Sequence, residues 1–123
     1  MNAALYRHAK THNNAVVFFN ANYKQYDWLV DLDFHAVTDE GAVLIRPDLA
    51  AVKDGAIKIA VEISDSTISK DLDTKKSIYR RASVEHYIVF DCNKKQVYQW
   101  RLEGTIYQES DYFSNLDSIF NEG

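Results

Sequence analysis

Two carboxylates, Asp48 and Glu62, lie in neighbouring segments that have the pattern of a β-hairpin. Residues 42–52 and residues 57–64 both alternate apolar and polar side chains, and Asp54-Gly55 between them is a strong hairpin signal. Apolar residues occupy mainly the odd-numbered positions, so Asp48 and Glu62 belong to the opposite, even-numbered face. We therefore expect both carboxylates on one face of a sheet.

The pairing of the two strands decides how close these carboxylates come. A two-residue turn at Asp54-Gly55 would place Asp48 opposite Val61. A longer loop or a bulge would instead place it opposite Glu62, with the Cβ atoms about 5 Å apart. We predict the second arrangement, because Pro47 cannot donate to the ladder and favours local irregularity.

Two close carboxylates repel each other unless the pKa of one rises or a cation binds between them. Mg²⁺ and Mn²⁺ prefer oxygen ligands, and such an ion can activate water and stabilise charge on a phosphodiester. The alternative is that each carboxylate pairs with a neighbouring base, such as Arg46 or Lys58. The pattern by itself leaves both interpretations open.

A helix predicted at residues 70–82 adds a third charged group. Lys75 falls on its apolar face, where a buried lysine needs a counter-charge. Asp71, four residues earlier, could supply that charge, and so could the Asp48–Glu62 pair. The apolar face consists of Leu72, Lys75, Tyr79 and Ala82.

Lys76, Arg80 and Arg81 continue the basic run on the same predicted helix. Cations near the carboxyl end of a helix stabilise its dipole, which is a structural role. Attraction of nucleic-acid phosphates is the functional alternative.

The whole chain has the composition of a globular protein and the length of one domain, with 123 residues, 46% hydrophobic and 26% charged. A net charge of −4 argues against a protein that coats nucleic acid non-specifically. No apolar run approaches the roughly 20 residues that span a bilayer, and no signal-peptide core is present. The single cysteine, Cys92, excludes an internal disulfide, and we expect a cytoplasmic protein.

The predicted elements form an α/β (α+β) chain, with a mixed sheet and helices, not an all-β sandwich. The histidines show no zinc-ligand spacing, and Cys92 has no evident partner for nucleophilic chemistry. Helices are predicted at 3–12, 70–82 and 114–120, and strands at 16–19, 27–37, 42–52, 57–64, 85–91, 96–101 and 104–108.

Several of these residues form a pattern that resembles a known family. Arg46-Pro47-Asp48-Leu49-Ala50 matches its Pro-Asp motif, and the later match runs without a gap from Glu62 to Asp91. The chain thus resembles the Uma-two family of putative restriction endonucleases over roughly its C-terminal two-thirds. The matched positions are Glu62-Ile63-Ser64-Asp65-Ser66-Thr67, Asp71, Lys75, Tyr79, Ala82, Val84, Tyr87 and Asp91.

The resemblance implies a PD-(D/E)XK fold, with a central mixed sheet flanked by helices, over residues 1–123 as a single domain with a shortened N-terminal helix. It implies Mg²⁺ or Mn²⁺ bound by Asp48, Glu62 and the carbonyl of Ile63. Lys75 would be the catalytic lysine, since Ser64 occupies the position where many such enzymes carry it. Asp71, Tyr79 and Ser64 would be supporting residues.

The leading hypothesis is therefore a metal-dependent nuclease acting on DNA or RNA, with Lys76, Arg80 and Arg81 contacting the nucleic acid. One alternative is a catalytically silent family member that serves as a binding or assembly module. It is favoured by residues 1–13, which contain no Asp or Glu where the family usually carries an acidic residue. A small-ligand-binding domain is a third hypothesis. We expect a homodimer and no membrane association.

Overall fold

The computed structural model of the chain describes residues 3–65 and 68–121. Its helices are α1 (Ala3–Asn22), α2 (Ile68–Lys70), a π-helical turn (Asp71–Lys75), α3 (Lys76–Arg81) and a 3₁₀ helix (Leu116–Asn121). Its strands are β1 (Asp27–Val30), β2 (Phe34–Thr38), β3 (Gly41–Ile45), β4 (Leu49–Lys53), β5 (Ala56–Ser64), β6 (His86–Asp91), β7 (Gln96–Glu103) and β8 (Ile106–Glu109).

Six strands form one mixed sheet in the order β1-β4-β5-β6-β7-β8, and β2 and β3 form a separate two-stranded hairpin. Only the central pair, β5 and β6, is parallel among these described strands. The α2–π–α3 helix connects those two strands, as a parallel pair requires a crossover. The predicted mixed sheet with helices is confirmed.

Alternation along the central strands gives the sheet two buried faces. Ile59, Val61 and Ile63 of β5 pack with Ala15 and Phe19 of α1 on one face. Ala60 of the same strand belongs to a second core on the other face, together with the α3 helix and the β2–β3 hairpin. Glu62 shares the parity of Ala60 and therefore faces α3.

The N-terminal prediction is wrong in one respect. Residues 16–19 read as a strand because Val-Val-Phe-Phe is rich in β-branched and aromatic residues, yet α1 continues through them to Asn22. Ala15 and Phe19, one helical turn apart, are both fully buried against the sheet. Packing of this stripe outweighs the local β propensity, as tertiary context often does.

Two predicted strands are each interrupted. The segment 27–37 divides into β1 and β2 around Asp31, whose φ of 50° lies in the left-handed region and breaks the extended chain. The segment 42–52 divides into β3 and β4 at residues 46–48, where Pro47 lies. Ile45 packs in the core on the α3 side and Leu49 in the core on the α1 side, so the chain changes faces at this break.

The predicted irregularity between β4 and β5 is confirmed. Near the turn Val52 pairs with Ile57, whereas beyond a register shift Ala51 pairs with Ile59 and Leu49 with Val61. Lys58 is the extra residue of this bulge. Continuing the register by one step places Asp48, immediately before β4, opposite Glu62.

The remaining elements follow the sequence closely, with small differences at their ends. The predicted helix at 70–82 is present but contains the π-helical turn, and the last predicted helix is a 3₁₀ helix. Within residues 3–65 and 68–121, no helix combines the length and the hydrophobicity needed to cross a membrane.

Candidate active site

Glu62 is a buried carboxylate near the end of β5, with 2% of its surface exposed. A buried charge is costly unless it is paired and hydrogen-bonded. The hydroxyl of Tyr79 donates to Glu62 Oε2 at 2.8 Å, and Lys75 Nζ lies 3.6 Å from Oε1. The structure thus brings Glu62, Lys75 and Tyr79 together.

Lys75 reaches Glu62 from the last residue of the π-helical turn. Such turns are uncommon and occur often at functional sites, because the wider turn redirects side chains. Tyr79, in α3, is four residues further on and reaches the same carboxylate, so one helical face supplies both contacts. The sequence suggested Asp71 or the Asp48–Glu62 pair as the counter-charge of Lys75, and the structure shows Lys75 beside Glu62.

Tyr79 remains a hydrogen-bond donor because its pKa is raised far above the ordinary value. Burial is the largest cause, and the negative charge of Glu62 is the next. Asp48 adds a smaller contribution of the same sign.

Asp48 contacts β5 directly. The backbone N–H of Ile63, the residue that follows Glu62, donates to Asp48 Oδ2 at 2.7 Å. The Asp48 carbonyl accepts a second bond, 3.3 Å long, from the backbone N–H of Asp31. Asp48 is therefore held at the end of the sheet where strand β4 begins and strand β5 finishes.

Two histidines of α1 also reach Asp48, and the sequence did not reveal them. His12 Nε2 lies 2.8 Å from the Asp48 carbonyl oxygen and, since a carbonyl only accepts, must carry the proton. His8 Nε2 lies 3.9 Å from Asp48 Oδ2. Both lie within the helix predicted at 3–12, four residues apart on one face, but the sequence does not show that this face meets Asp48.

A cavity of about 190 Å³ lies on the α3 side of the sheet, above Glu62. Lys70, Lys75 and Arg46 contribute three cations to its lining, while Asp48 is not among the lining residues. Among the contacts of the described residues, Arg46 forms an ion pair with Asp33, at 2.6 Å, and none with Asp48 or Glu62. The lining residues are Leu44, Ile45, Arg46, Glu62, Lys70, Thr74, Lys75, Ile78 and Tyr79.

The three cations predicted to contact nucleic acid each have a partner within the fold. Lys76 Nζ lies 4.2 Å from the centre of the Trp100 ring. Arg80 donates to the carbonyl of Thr105 at 3.1 Å, and Arg81 donates to Glu40 at 2.7 Å. These contacts attach α3 to β7, to the β7–β8 turn and to the β2–β3 hairpin, which is the structural role that the sequence left open.

Ser64 and Asp71, the other predicted supporting residues, are less informative. Ser64 is buried, and its hydroxyl has no hydrogen-bond partner among the described residues. Asp71 begins the π-helical turn, but its side chain lies outside the described part of the structure.

The donor set can accommodate a divalent cation only with help from water or backbone. Among the described residues, no three His, Cys, Asp or Glu side chains come together as a metal site. Asp48 and Glu62 each have one carboxylate oxygen in a hydrogen bond, from Ile63 and Tyr79 respectively, and a carboxylate can accept several. Mg²⁺ suits such a site, because it commonly keeps several waters and needs few protein ligands.

Comparison with known proteins decides the family. The Uma2 family, described as "Putative restriction endonuclease", matches residues 7–122. The chain belongs to the Uma2 family. No curated protein matches the chain.

A solved structure supports the fold of this Uma2 protein. The type IIG restriction endonuclease BpuSI is similar, with a TM-score of 0.50 and 13% sequence identity, over 96% of this chain and 15% of that chain. The chain therefore spans a small part of the BpuSI polypeptide, and the likeness concerns the fold alone. The predicted PD-(D/E)XK-like fold is confirmed, and the family is described as one of putative restriction endonucleases.

Removing the Tyr79 hydroxyl should destabilise the protein through Glu62. Tyr79→Phe keeps the ring but leaves a buried carboxylate without one donor, so the free energy of unfolding should fall by about 1.5–3 kcal/mol. Urea denaturation measures this change. Tyr98→Phe is the matched control, because the Tyr98 hydroxyl bonds only to exposed Gln96 among the described residues, and it should change stability little. Equal effects of the two substitutions would contradict the assigned role.

Proposed function

We propose that this Uma2 protein is a metal-dependent nuclease that hydrolyses phosphodiester bonds at Asp48, Glu62 and Lys75. The observation that carries the proposal is the arrangement around Glu62. This buried carboxylate lies 3.6 Å from Lys75 Nζ, and the β4–β5 register, continued one step beyond the Leu49–Val61 pair, would set Asp48 opposite it. A lysine beside one carboxylate, with a second carboxylate on the neighbouring strand, provides the groups that such hydrolysis uses.

Each residue has a distinct part in this proposal. Asp48, Glu62 and the carbonyl of Ile63 would hold Mg²⁺ or Mn²⁺, which supplies an activated water and stabilises charge on the phosphate. Lys75, with 37% of its side chain exposed, can reach substrate and stabilise the developing negative charge. Tyr79 holds Glu62 in place, while Ser64 and Asp71 are proposed to support the same end of the sheet.

The proposed substrate is a nucleic acid, with DNA ahead of RNA because the similar solved structure is a restriction endonuclease. The cavity above Glu62 supports phosphate binding, since its cations Lys70 and Lys75 lie beside the proposed reacting centre. Lys76, Arg80 and Arg81 stay candidates for contacts further along the strand, although their internal contacts favour the structural role.

Lys70→Ala should weaken DNA binding and make it less dependent on salt. Each phosphate contact that is lost lowers the slope of log affinity against log salt by about one. Fluorescence anisotropy over a range of salt concentrations measures that slope. Lys53→Ala is the control, because Lys53 ends β4 away from Asp48. If Lys53→Ala or Arg81→Ala reduces the salt dependence of DNA affinity and Lys70→Ala does not, the DNA-binding surface does not include Lys70.

A cleavage assay tests the proposed activity. Labelled single-stranded DNA, double-stranded DNA and RNA are incubated with the protein and Mg²⁺ or Mn²⁺. We expect at least one substrate to be cut, and both Asp48→Ala and Lys75→Ala to abolish the cutting. If no substrate is cut and calorimetry detects no metal binding, the proposed nuclease activity is wrong.

The second candidate function is a catalytically silent binding module. It is favoured by the lack, among the described residues, of three metal-ligating side chains in one group. It is also favoured by Glu62, whose charge is already paired with Lys75 and whose Oε2 accepts a hydrogen bond from Tyr79. Binding of DNA without metal-dependent cleavage would support this function over the first.

The proposal extends to assembly, to the domain and to location. We propose that residues 1–123 form one nuclease-like domain in a reducing compartment such as the cytoplasm, where the buried free thiol of Cys92 would persist. We also propose a homodimer formed through β1, which ends the sheet order and exposes Leu29 and Val30.

Val30→Lys should therefore convert a dimer into a monomer, because a charge on an edge strand opposes strand pairing. Light scattering of the purified protein measures the mass. Val37→Lys is a matched control on the separate β2–β3 hairpin, where Val37 is 77% exposed. A monomeric wild-type protein would contradict the proposed dimer.

A further inference from the structure

A second cavity, of about 230 Å³, lies on the α1 side of the sheet and shares no lining residue with the cavity above Glu62. Thr11 and Cys92 are its buried members, and Asn14 donates to the carbonyl of Ile119 at 2.9 Å. Cys92 follows the last residue of β6, so the cavity lies at the carboxyl end of a parallel strand, where α/β sheets commonly bind ligands. The lining residues are Tyr6, Arg7, Lys10, Thr11, Asn14, Cys92, Lys95, Phe120 and Asn121.

Three cations line this cavity. Arg7 and Lys10 come from α1, and Lys95 comes from the connection between β6 and β7. Within residues 3–65 and 68–121, no Asp or Glu belongs to the lining. The chain as a whole has a net charge of −4, so this cavity concentrates positive charge against the overall balance. A concave surface of one sign attracts ions of the opposite sign, which here are anions.

The same three cations have no carboxylate partner in the part of the chain that the structure describes. Arg7 donates to the neutral amide oxygen of Asn93 at 3.1 Å, and Lys10 Nζ lies 5.9 Å from the centre of the Tyr6 ring. By contrast, the last arginine of α3 has an ion pair with the β2–β3 connection. The structural role that accounts for the cations of α3 therefore does not account for those around the cavity.

Two acids, Asp65 and Asp91, lie near Cys92 but outside the lining. Asp91 Oδ1 accepts the backbone N–H groups of Asn93 and Lys94 at 3.0 and 3.1 Å, which fixes the connection that carries the third cation. Burial is the largest cause that raises the pKa of Cys92, and the two acids add to it. The thiol therefore stays neutral and adds no negative charge to the cavity.

Charge and size together indicate the ligand. A phosphomonoester carries a charge of about −1.5 to −2 at pH 7 and presents three acceptor oxygens, whereas an internal phosphodiester carries a single negative charge. Three cations without an opposing acid match the phosphomonoester better. The cavity of about 230 Å³ is smaller than the pockets of about 300–1,000 Å³ that enclose a whole drug-sized ligand. A phosphate group therefore fits inside, with the rest of the ligand outside.

Tyr6 belongs to the lining and is 56% exposed, so its ring offers a face to a planar base. Bases of every kind stack on such rings. We propose that this cavity binds the phosphomonoester group of a nucleotide. Arg7, Lys10 and Lys95 surround the phosphate, and the Tyr6 ring lies beside the base. The site is separate from Glu62, so the inference goes beyond the proposed nuclease and does not depend on cleavage.

Calorimetric titration with thymidine 5′-monophosphate tests the inference. EDTA is present, so that no metal ion carries the phosphate to Asp48 and Glu62. Wild type should bind the nucleotide and should not bind thymidine, which lacks the phosphate. Arg7→Gln and Lys95→Gln should each weaken binding about tenfold or more, which is the scale of one hydrogen bond to a charged group. Both side chains are exposed, and circular dichroism confirms that the variants are folded.

Lys24→Gln is the matched control. It removes one positive charge from an exposed residue beyond the far end of α1, and it should bind the nucleotide as wild type does. The inference is overturned if thymidine binds as tightly as the nucleotide, if wild type binds neither, or if Arg7→Gln and Lys95→Gln retain wild-type affinity. If Lys70→Gln weakens binding and Arg7→Gln does not, the nucleotide occupies the cavity above Glu62, which also overturns it. None of these results decides the proposed nuclease, which the cleavage assay tests separately.

A free mononucleotide and the phosphorylated end of a strand share this chemistry. Oligothymidylate with a 5′-phosphate and the same strand with a 5′-hydroxyl are therefore titrated into wild type and Arg7→Gln. A gain in affinity that depends on the phosphate and that Arg7→Gln removes assigns the site to strand ends. Binding of the mononucleotide without such a gain assigns it to free nucleotides. Either result supports the phosphate site.

Discussion

Glu62→Gln is expected to reduce metal-dependent cleavage by about 10³-fold or more, equivalent to roughly 4 kcal/mol of transition-state stabilisation. Glutamine keeps the shape of the side chain and can still accept the bond from Tyr79. It removes the negative charge that faces Lys75 at 3.6 Å and that a divalent cation would need. Several kcal/mol is the usual scale of charge stabilisation by a bound metal.

Single-turnover cleavage with saturating enzyme measures this loss and separates chemistry from binding. Circular dichroism and a thermal melt establish whether the variant is folded. Glu103→Gln provides the control, because Glu103 is an exposed residue at the end of β7. A folded Glu62→Gln protein that cleaves at the wild-type rate would exclude Glu62 from the reaction.

Phe19→Ala is expected to lower the free energy of unfolding by about 3–5 kcal/mol. Phe19 is fully buried, and its ring stacks on Trp28 at 4.6 Å between centroids. Its edge also meets Phe90 and Phe113 at 6.4 and 6.3 Å. Truncation would leave a cavity among these three rings and weaken the attachment of α1, which carries both histidines that contact Asp48.

Urea denaturation, monitored by tryptophan fluorescence, measures this loss in the free energy of unfolding. Val17→Ala, on the opposite side of α1 and 63% exposed, should stay within about 0.5 kcal/mol of wild type. Similar stabilities for the two variants would show that α1 is not held by Phe19. The measurement also bears on function, because a loosened α1 would withdraw His12 from the Asp48 carbonyl.

Strand parity predicted the most important feature of the site. Glu62 could be assigned a face because β5 alternates without interruption through Ile59, Val61 and Ile63. The bulge followed from the requirement that Asp48 share that face, and it is present between Ala51 and Val52. Lys75 stood out because a cation occupied an apolar helical face.

Other features depend on tertiary contacts that local pattern does not contain. Residues 16–19 have strong β propensity, and only the buried positions Ala15 and Phe19 explain why they are helical. The break at residues 46–48 moves the chain from one core to the other, a change that alternation on each side cannot reveal. The same break separates the β2–β3 hairpin from the six-stranded sheet.

The roles of the polar residues were the hardest to predict. His8 and His12 could not be connected with Asp48, because the contact joins residues 36 or more positions apart. The π-helical turn that carries Lys75 to Glu62 has no sequence signature that we recognise. The basic run after Lys75 had a structural and a functional explanation, and its contacts with Trp100, Thr105 and Glu40 favour the structural one.

A double-mutant cycle on cleavage tests most directly whether Asp48 and Glu62 act together. The rates of wild type, Asp48→Asn, Glu62→Gln and the double variant are measured on one labelled DNA duplex with Mn²⁺. If both carboxylates serve one bound ion, either substitution removes its function, and the double variant should be no slower than the slower single variant. A wild-type protein that does not cleave, or rate losses that multiply in the double variant, would contradict a shared metal-dependent active site.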